Sequence, residues 1–180
     1  MAEEPKGPLV LLGSARKNSD NLQLIENLFD PQEIHLLDLL DHQVYPYNYT
    51  GTYPPDDAFP ALTTELLQHQ ALVFATPVYW YAMSGLLKTF FDRLTDLVTI
   101  QKKTGRKLQG KKTFLLANGA EAVLPDGFEV PFRSTSAYFG MSFIGTLYHR
   151  TGKKEQLPPD ASHFRELLQL PPRSIKNRNI

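Results

Sequence analysis

Five short apolar runs recur along the chain, and each is followed by a segment with helical character. The central runs do not alternate polar with apolar residues, which is the pattern of strands buried on both faces. Strands are predicted at residues 8–12, 33–37, 71–76, 112–117 and 141–148. This repeated strand–helix order predicts an α/β fold, a doubly wound parallel sheet with helices on both faces.

The intervening helices are predicted from residue 19 or 20, and at 59–69, 84–98, 130–139 and 159–170. The strongest pattern is that of 84–98, where Leu86, Leu87, Phe90, Phe91, Leu94 and Leu97 form one wide apolar face. Residues 41–57 contain four prolines or glycines and four tyrosines, which predicts a long irregular connection. The basic, polar stretch 102–110 is expected to be a mobile loop.

Length and composition narrow the classes of function. A chain of 180 residues suits one domain over 1–180, with residues 1–7 and 171–180 expected as loose tails. Lys+Arg and Asp+Glu both number 19, and a net charge of zero argues against a nucleic-acid partner. The absence of cysteine excludes a disulfide scaffold and an all-cysteine iron–sulfur cluster.

Other motifs that would mark a hydrolase, a metal site or a membrane protein are missing. The five histidines contain no H-E-x-x-H spacing, so no metal site is expected, and His149 is interpreted as a surface residue. No apolar run approaches the roughly 20 residues that span a bilayer. The N-terminus lacks the apolar region of a secretory signal, so we expect a soluble, cytoplasmic protein that does not contact membranes.

The position of a ligand follows from the predicted topology. In open α/β sheets, ligands bind beyond the carboxyl ends of the strands, where the strand order reverses. Three loops leave those ends near the middle of the chain, at residues 14–19, 76–83 and 118–121.

The first loop has the composition of a phosphate site. Ser14 and Ser19 offer hydroxyls, Arg16 offers a charged forked donor, and the amides of the next helix point at the same place. The alternative is an ordinary polar connection between a strand and a helix. Neither G-x-G-x-x-G nor G-x-x-x-x-G-K-[ST] occurs in the chain.

The second loop contains the consecutive aromatics Tyr79, Trp80 and Tyr81, which cannot all face one core. A planar ligand would give one or two of them a stacking partner, and a subunit interface would serve equally well. The third loop, from Asn118 to Glu121, has small residues that allow close approach to a flat heterocycle, although a plain turn explains it too.

These loops resemble a known family. Gly13-Ser14-x-Arg16-x-x-Ser19 is similar to the opening of the NADPH-dependent FMN reductases of flavodoxin-like fold. The segments 76–80 and 84–93 resemble that family's flavin-contacting loop and the helix after it. The resemblance runs from about residue 9 to residue 148 and implies a flavodoxin-like, doubly wound, five-stranded parallel sheet.

The resemblance also implies the residues that bind FMN, in three groups. Those expected at the phosphate are Ser14, Arg16, Ser19 and Asn21. Those expected along the isoalloxazine, partly through backbone amides, are Pro77, Val78, Tyr79 and Trp80. Those expected at its other side or edge are Asn118, Gly119 and Glu121. No catalytic side chain is expected, because the hydride chemistry belongs to FMN. The Asp92-Arg93 pair is expected to be structural.

The implied activity is transfer of a hydride from NADPH or NADH, through bound FMN, to a small acceptor such as a quinone, a flavin or an azo compound. A homodimer or homotetramer is implied, and the apolar helix 86–97 and Tyr81 are candidate contacts. Two alternatives stay open: an electron-transfer flavodoxin, and a non-catalytic flavin-binding or regulatory protein.

Overall fold

One five-stranded sheet organises the computed structural model, which describes residues 6–152 and 157–172. The strands are β1 Leu9–Leu12, β2 His35–Asp38, β3 Ala71–Pro77, β4 Lys112–Gly119 and β5 Ser142–Arg150. All neighbouring strands pair in parallel, in the order β2-β1-β3-β4-β5. This is the flavodoxin-like order, so the predicted doubly wound parallel sheet is confirmed.

Seven α-helices cover the sheet in the described part of the chain. They are α1 Asp20–Leu28, α2 Phe59–Leu67, α3 Gly85–Arg93, α4 Asp96–Thr99, α5 Lys102–Arg106, α6 Val130–Tyr138 and α7 Ala161–Leu167. A single 3-10 turn, Leu39–Asp41, follows β2. Among these described residues, no helix combines the length and the apolar character needed to cross a bilayer.

The alternation of β1 divides the interior into two cores. Leu9 and Leu11 face one core, together with apolar residues of α2, α3 and α6. Val10 and Leu12 face the other core, together with α1 and α7. Because all four side chains are almost fully buried, β1 needs apolar residues on both faces, which explains its unbroken hydrophobic run.

The predicted helix over 84–98 is broken in two. Leu94 and Thr95 donate to carbonyls three residues back, which tightens the chain before α4 begins. The apolar face of 86–97 was predicted as a candidate subunit contact, and this prediction is wrong for its main residues. Leu87, Phe90 and Leu94 lie in the chain's own core.

The basic segment predicted as a loop at 102–110 instead contains α5. Gly105 packs closely on α4, and a Cβ there would lie 2.2 Å from the carbonyl oxygen of Leu97. Leu108 is buried, and Gly110 donates to the carbonyl of Gly140 at the start of β4 and β5. The segment is therefore held to the amino-terminal edge of the sheet.

Parts of the expected tails can also be placed. The carbonyl of Gly7 lies 2.7 Å from Nδ1 of His69, so the chain is held just before β1. Residues 171 and 172 follow α7, while 1–5 and 173–180 lie outside the described residues.

The long connection between β2 and α2 is anchored by Arg93 at the end of α3. Its guanidinium is 1% exposed and donates to both carboxylate oxygens of Asp57, at 2.9 and 2.7 Å, and to the carbonyl of Tyr45 at 2.9 Å. Its Nε donates to Asp96 at 2.9 Å, and the ring of Tyr53 lies 3.4 Å from the guanidinium carbon. The structural role expected for Arg93 is confirmed, whereas Asp92 pairs with Lys88 at the surface.

The charges of this cluster stabilise one another. Burial alone would raise the pKa of Asp57, but the hydrogen bonds and charge of Arg93, together with the backbone amides of Tyr45 and Phe59, hold that pKa below its ordinary value. Burial would likewise lower the pKa of Arg93, and the bonds to Asp57 and Asp96 raise it instead. The ion pair therefore persists at every pH at which the carboxylates bonded to Arg93 are ionised.

Removing the buried charge should be costly, and removing a neighbouring exposed charge should not. We expect Arg93→Met to lower the free energy of unfolding by about 3–5 kcal/mol, because Asp57 and Asp96 become uncompensated buried charges. Lys88→Met, one turn earlier on the same helix, removes a half-exposed ion pair and should cost no more than about 0.5 kcal/mol. Urea unfolding of both variants checks this, and equal losses would contradict the assigned role.

Candidate functional site

The candidate site is a cleft at the carboxyl ends of β1 and β3. The helix that follows β1 packs on one face of the sheet, and the helix that follows β3 packs on the other. The loops leaving these two strands therefore diverge, which opens the sheet edge between them. Residues 13–19 follow β1 and residues 76–84 follow the body of β3, and the sheet edge between these two segments is called the cleft here.

Gly13 allows the two sides to approach closely. Its amide donates to the carbonyl of Ala75 at 2.8 Å, which continues the pairing of β1 with β3. A Cβ at this position would lie 2.7 Å from Cβ of Leu87 and 3.1 Å from Oγ of Ser84. The start of α3 thus contacts the backbone of the first loop directly, and only glycine fits there.

The first loop ends in a buried polar pocket at the start of α1. Ser19 caps the helix, and its Oγ accepts a hydrogen bond from the amide of Leu22 at 3.1 Å. Ser14 is 2% exposed and Asn21 is 1% exposed. Both polar atoms of the Asn21 side chain lack a partner among the described residues, so an ordered water or a polar ligand would satisfy them.

The two basic residues of this loop differ in their partners. Lys17 donates to Asp38 at 2.9 Å and pairs with Asp41, and the bonds to Asp41 and Asp38 raise the pKa of its ammonium group. Among residues 6–152 and 157–172, the partner of Arg16 is Asp20, in an exposed pair at 3.3 Å. Exposed pairs of this kind are weak, so Arg16 is the cation available to an anion in the pocket.

The second side of the cleft carries a strained aromatic turn. Tyr79 and Ala82 exchange backbone hydrogen bonds of 2.9 and 3.0 Å, and Trp80 and Tyr81 between them have φ values of 48° and 64°. Such a turn favours asparagine and glycine, because side chains at positive φ cost about 1–2 kcal/mol each. Trp80 is 90% exposed, so packing within the chain does not explain it.

A threonine fixes the base of this turn. The hydroxyl of Thr76 accepts a hydrogen bond from the amide of Ser84 at 3.0 Å, and Ser84 caps α3 through the amide of Leu87. The sequence placed Thr76 and Ser84 within the loop but did not indicate these roles. The signal that could have found them is a hydroxyl at each end of an aromatic loop, one of them in the capping position before an apolar helix.

The third segment begins as strand. Asn118 and Gly119 are the last residues of β4, so the loop predicted from Asn118 is wrong at these two positions. The carbonyl of Asn118 accepts from the amide of Val78 at 2.7 Å, which joins the second and third segments. Oδ1 of Asn118 is buried and has no partner in the described part of the chain, which repeats the situation at Asn21.

The end of β5 positions the residues that follow β4. The hydroxyl of Tyr148 donates to the carbonyl of Glu121 at 3.0 Å, and the amide of Thr151 donates to that of Gly119 at 2.8 Å. A Cβ on Gly119 would lie 2.9 Å from the Tyr148 hydroxyl. Burial raises the pKa of Tyr148, so its phenol stays protonated and keeps this donor. The side chain of Glu121 itself is exposed.

The structure thus brings most of the predicted residues to one edge of the sheet. Ser14, Ser19 and Asn21 are each buried between the end of β1 and the first turn of α1, and Pro77 lies beside Asn118 in the β3–β4 register. The rim of the cleft is formed by residues whose side chains are exposed, namely Arg16, Tyr79, Trp80 and Glu121. The basic segment 102–110 lies toward the opposite edge and takes no part.

Comparison with known proteins finds relatives that are named as FMN reductases or FMN-containing oxidoreductases. The family model described as NADPH-dependent FMN reductase matches residues 9–153. A Bacillus subtilis protein named as an NAD(P)H-dependent FMN-containing oxidoreductase is 29% identical over 151 residues, 76% of this chain and 80% of that protein. The NADPH-dependent FMN reductase of Escherichia coli is 36% identical over 119 residues, 62% of this chain and 55% of its own length.

A solved structure supports the fold. The Trp repressor binding protein of Bacillus subtilis superimposes with a TM-score of 0.64 at 24% identity, over 90% of this chain and 95% of that chain.

The strain in the aromatic turn can be measured. We expect Trp80→Gly to raise the free energy of unfolding by up to about 1 kcal/mol, since relief of the positive φ exceeds the entropy cost of glycine. Gln169, with φ of 61°, is a matched site far along the chain, and Gln169→Gly should behave alike. Tyr79→Gly, where φ is not positive, should destabilise. Chemical denaturation distinguishes the three, and a destabilising Trp80→Gly would contradict the strain.

Proposed function

We propose how this cleft is used from the premise that the chain belongs to the NADPH-dependent FMN reductase family, whose members are NAD(P)H-dependent oxidoreductases. FMN is the cofactor, NADPH or NADH is the electron donor, and the cleft at the ends of β1, β3 and β4 holds the flavin. The observation that carries this assignment concerns buried amide atoms that lack a partner among the described residues, namely both polar atoms of Asn21 and Oδ1 of Asn118.

The phosphate of FMN is assigned to the pocket at the start of α1. Ser14 and Asn21 would donate hydrogen bonds there, and Ser19 completes the buried polar wall while capping the helix. The helix dipole favours an anion at this position. Arg16 would leave its exposed pair with Asp20 to add a charge-assisted contact.

The ring system is assigned to the other side of the cleft. The amide of Val78 is already used by Asn118, and those of Tyr79 and Ala82 by each other. Within this described loop, the amides of Trp80, Tyr81 and Met83 remain as donors, while Oδ1 of Asn118 would accept from an N–H of the ring. Gly119 and Glu121 border the same edge.

The chemistry that FMN supplies, when bound, is the passage of two electrons from NAD(P)H to a small acceptor. The chain binds and orients the flavin, and its loop amides stabilise negative charge on the reduced ring. Trp80 and Tyr81 stand at an open rim, which leaves one ring face accessible to the nicotinamide and then to the acceptor. The proposed acceptor is a small molecule such as a quinone, a flavin or an azo compound.

A homodimer or homotetramer is part of the proposal. Trp80 and Tyr81 are 90% and 67% exposed, and exposed aromatic side chains are enriched at subunit contacts. A partner seated on this turn would cover the flavin from one side. The cytoplasm is the proposed compartment, because the cell maintains NAD(P)H there.

The first test is the visible absorption spectrum of the purified protein with FMN and then NADPH or NADH. We expect a flavin spectrum that bleaches anaerobically with either nucleotide, and steady nucleotide oxidation once a quinone is added. A protein that binds FMN but oxidises neither nucleotide would be an electron-transfer flavodoxin. A protein that takes up no FMN would overturn the assignment of the cleft.

A matched pair of variants tests the phosphate pocket. Arg16→Ala should weaken FMN binding about tenfold, the effect of losing one charge-assisted hydrogen bond at a partly solvated site. Lys17→Ala, the adjacent basic residue, should leave the Kd unchanged, because Lys17 is engaged by Asp38 and Asp41. Fluorescence titration of FMN measures both, and equal effects would assign the anion to general charge rather than to Arg16.

A further inference from the structure

Two histidines and a glutamate converge near the amino-terminal edge of the sheet, at the opposite end from the cleft. His35 begins β2, Glu65 lies in the last turn of α2, and His69 follows that helix shortly before β3. Nδ1 of His35 lies 3.0 Å from Oε1 of Glu65, and Nε2 of His69 lies 3.2 Å from the same oxygen. One ligand atom from each residue falls within 4.8 Å of the others.

The orientation of His69 is fixed by the backbone. Its ring is 1% exposed, and Nδ1 lies 2.7 Å from the carbonyl oxygen of Gly7. A carbonyl oxygen only accepts hydrogen bonds, so Nδ1 carries the hydrogen and donates it. In the neutral ring, Nε2 then presents a lone pair toward Glu65, which is the tautomer and the backing contact of metal-binding histidines.

This arrangement requires a positive species between Nε2 and the carboxylate. A lone pair and an ionised oxygen repel each other at 3.2 Å, so either a second proton or a metal ion must lie between them. Both rings approach Oε1 of Glu65, so this carboxylate is the anionic ligand of the group.

The spacing suits a small tetrahedral ion. Zinc binds imidazole nitrogen and carboxylate oxygen at about 2.0–2.2 Å, which places neighbouring ligand atoms about 3.3–3.5 Å apart. The two separations from Glu65, 3.0 and 3.2 Å, are close to that value. Small rotations of the half-exposed His35 and Glu65 side chains would complete the fit.

The surrounding charges leave room for a cation. Nζ of Lys6 lies 3.4 Å from Glu65, but its side chain is 48% exposed and can turn into solvent. Lys111 is buried beside the group, yet its ammonium donates to the carbonyl oxygens of Leu67 and His69 and so is directed at the backbone. Neither lysine ammonium group is therefore fixed in the space between the two histidine rings.

We propose that His35, Glu65 and His69 form a binding site for zinc or a similar divalent transition metal, with water completing the coordination. The site joins three segments that are distant in sequence: β2, the end of α2 and, through His69, the residues before β1. Its role is to hold these segments together, and it is separate from the flavin cleft.

The test uses untagged full-length protein, dialysed against micromolar zinc chloride and then against zinc-free buffer. We expect about one zinc ion per chain by elemental analysis, and a melting temperature that rises with zinc concentration. Glu65→Gln and His35→Asn should lose both effects while keeping the melting temperature of the wild-type protein in EDTA. His163→Ala should keep both, because His163 and Glu166 form an exposed pair 3.6 Å apart elsewhere.

The outcomes distinguish a bound metal ion from a second proton on His69. Zinc content in the wild-type protein no higher than in Glu65→Gln would overturn the proposal and assign the position to a second proton on His69. Zinc loss in His163→Ala would also overturn it, since binding would then be scattered over surface histidines. FMN binding by Glu65→Gln should equal that of the wild-type protein, so failure of this site is distinguishable from failure of the cleft.

Discussion

The buried guanidinium of Arg93 is the contact on which the architecture around the cleft depends. The chain must run irregularly from β2 to α2, and no regular ladder satisfies the backbone of that connection. Arg93 replaces the missing ladder with hydrogen bonds to Tyr45 and Asp57 and a ring contact with Tyr53. Nε of the same side chain donates to Asp96 at the start of α4. One guanidinium group therefore holds the end of α3, the start of α4 and the long connection together. Since α3 begins against Gly13, this anchoring also steadies one wall of the cleft.

The sequence predicts those parts of the fold that depend on local patterns. Apolar runs identified the buried strands β1, β3 and β4, because a parallel sheet covered on both sides demands such runs. The capping Ser19 and the glycine at 13 marked the first loop, because helix starts and tight strand exits have their own residue preferences. The break after Arg93 was not predicted, since Leu94 and Leu97 continue the apolar spacing across it. Arg93, the last residue before the break, bonds to Asp57, which lies 36 residues away in sequence, and no local pattern reports such a contact.

The candidate site likewise has features that the sequence predicts and features that it does not. The residues of the cleft sit directly after strands, so topology alone gathers them at one edge. What escaped prediction is how they are engaged: Lys17 is committed to two aspartates, Val78 to Asn118, and Trp80 to a conformation that its side chain disfavours. The group of His35, Glu65 and His69 escaped for another reason, because the i,i+4 pair Glu65 and His69 is completed by His35 from a different strand.

The aromatic turn has a practical consequence. The chain contains a single tryptophan, and the fold puts it in solvent at the rim of the cleft. All indole emission from this protein therefore originates at one known point, without background from the core. A chromophore that settles nearby would quench that emission, and a second subunit that covers the turn would shift it toward the blue. The protein thus carries its own optical reporter of occupancy and association, with no label attached.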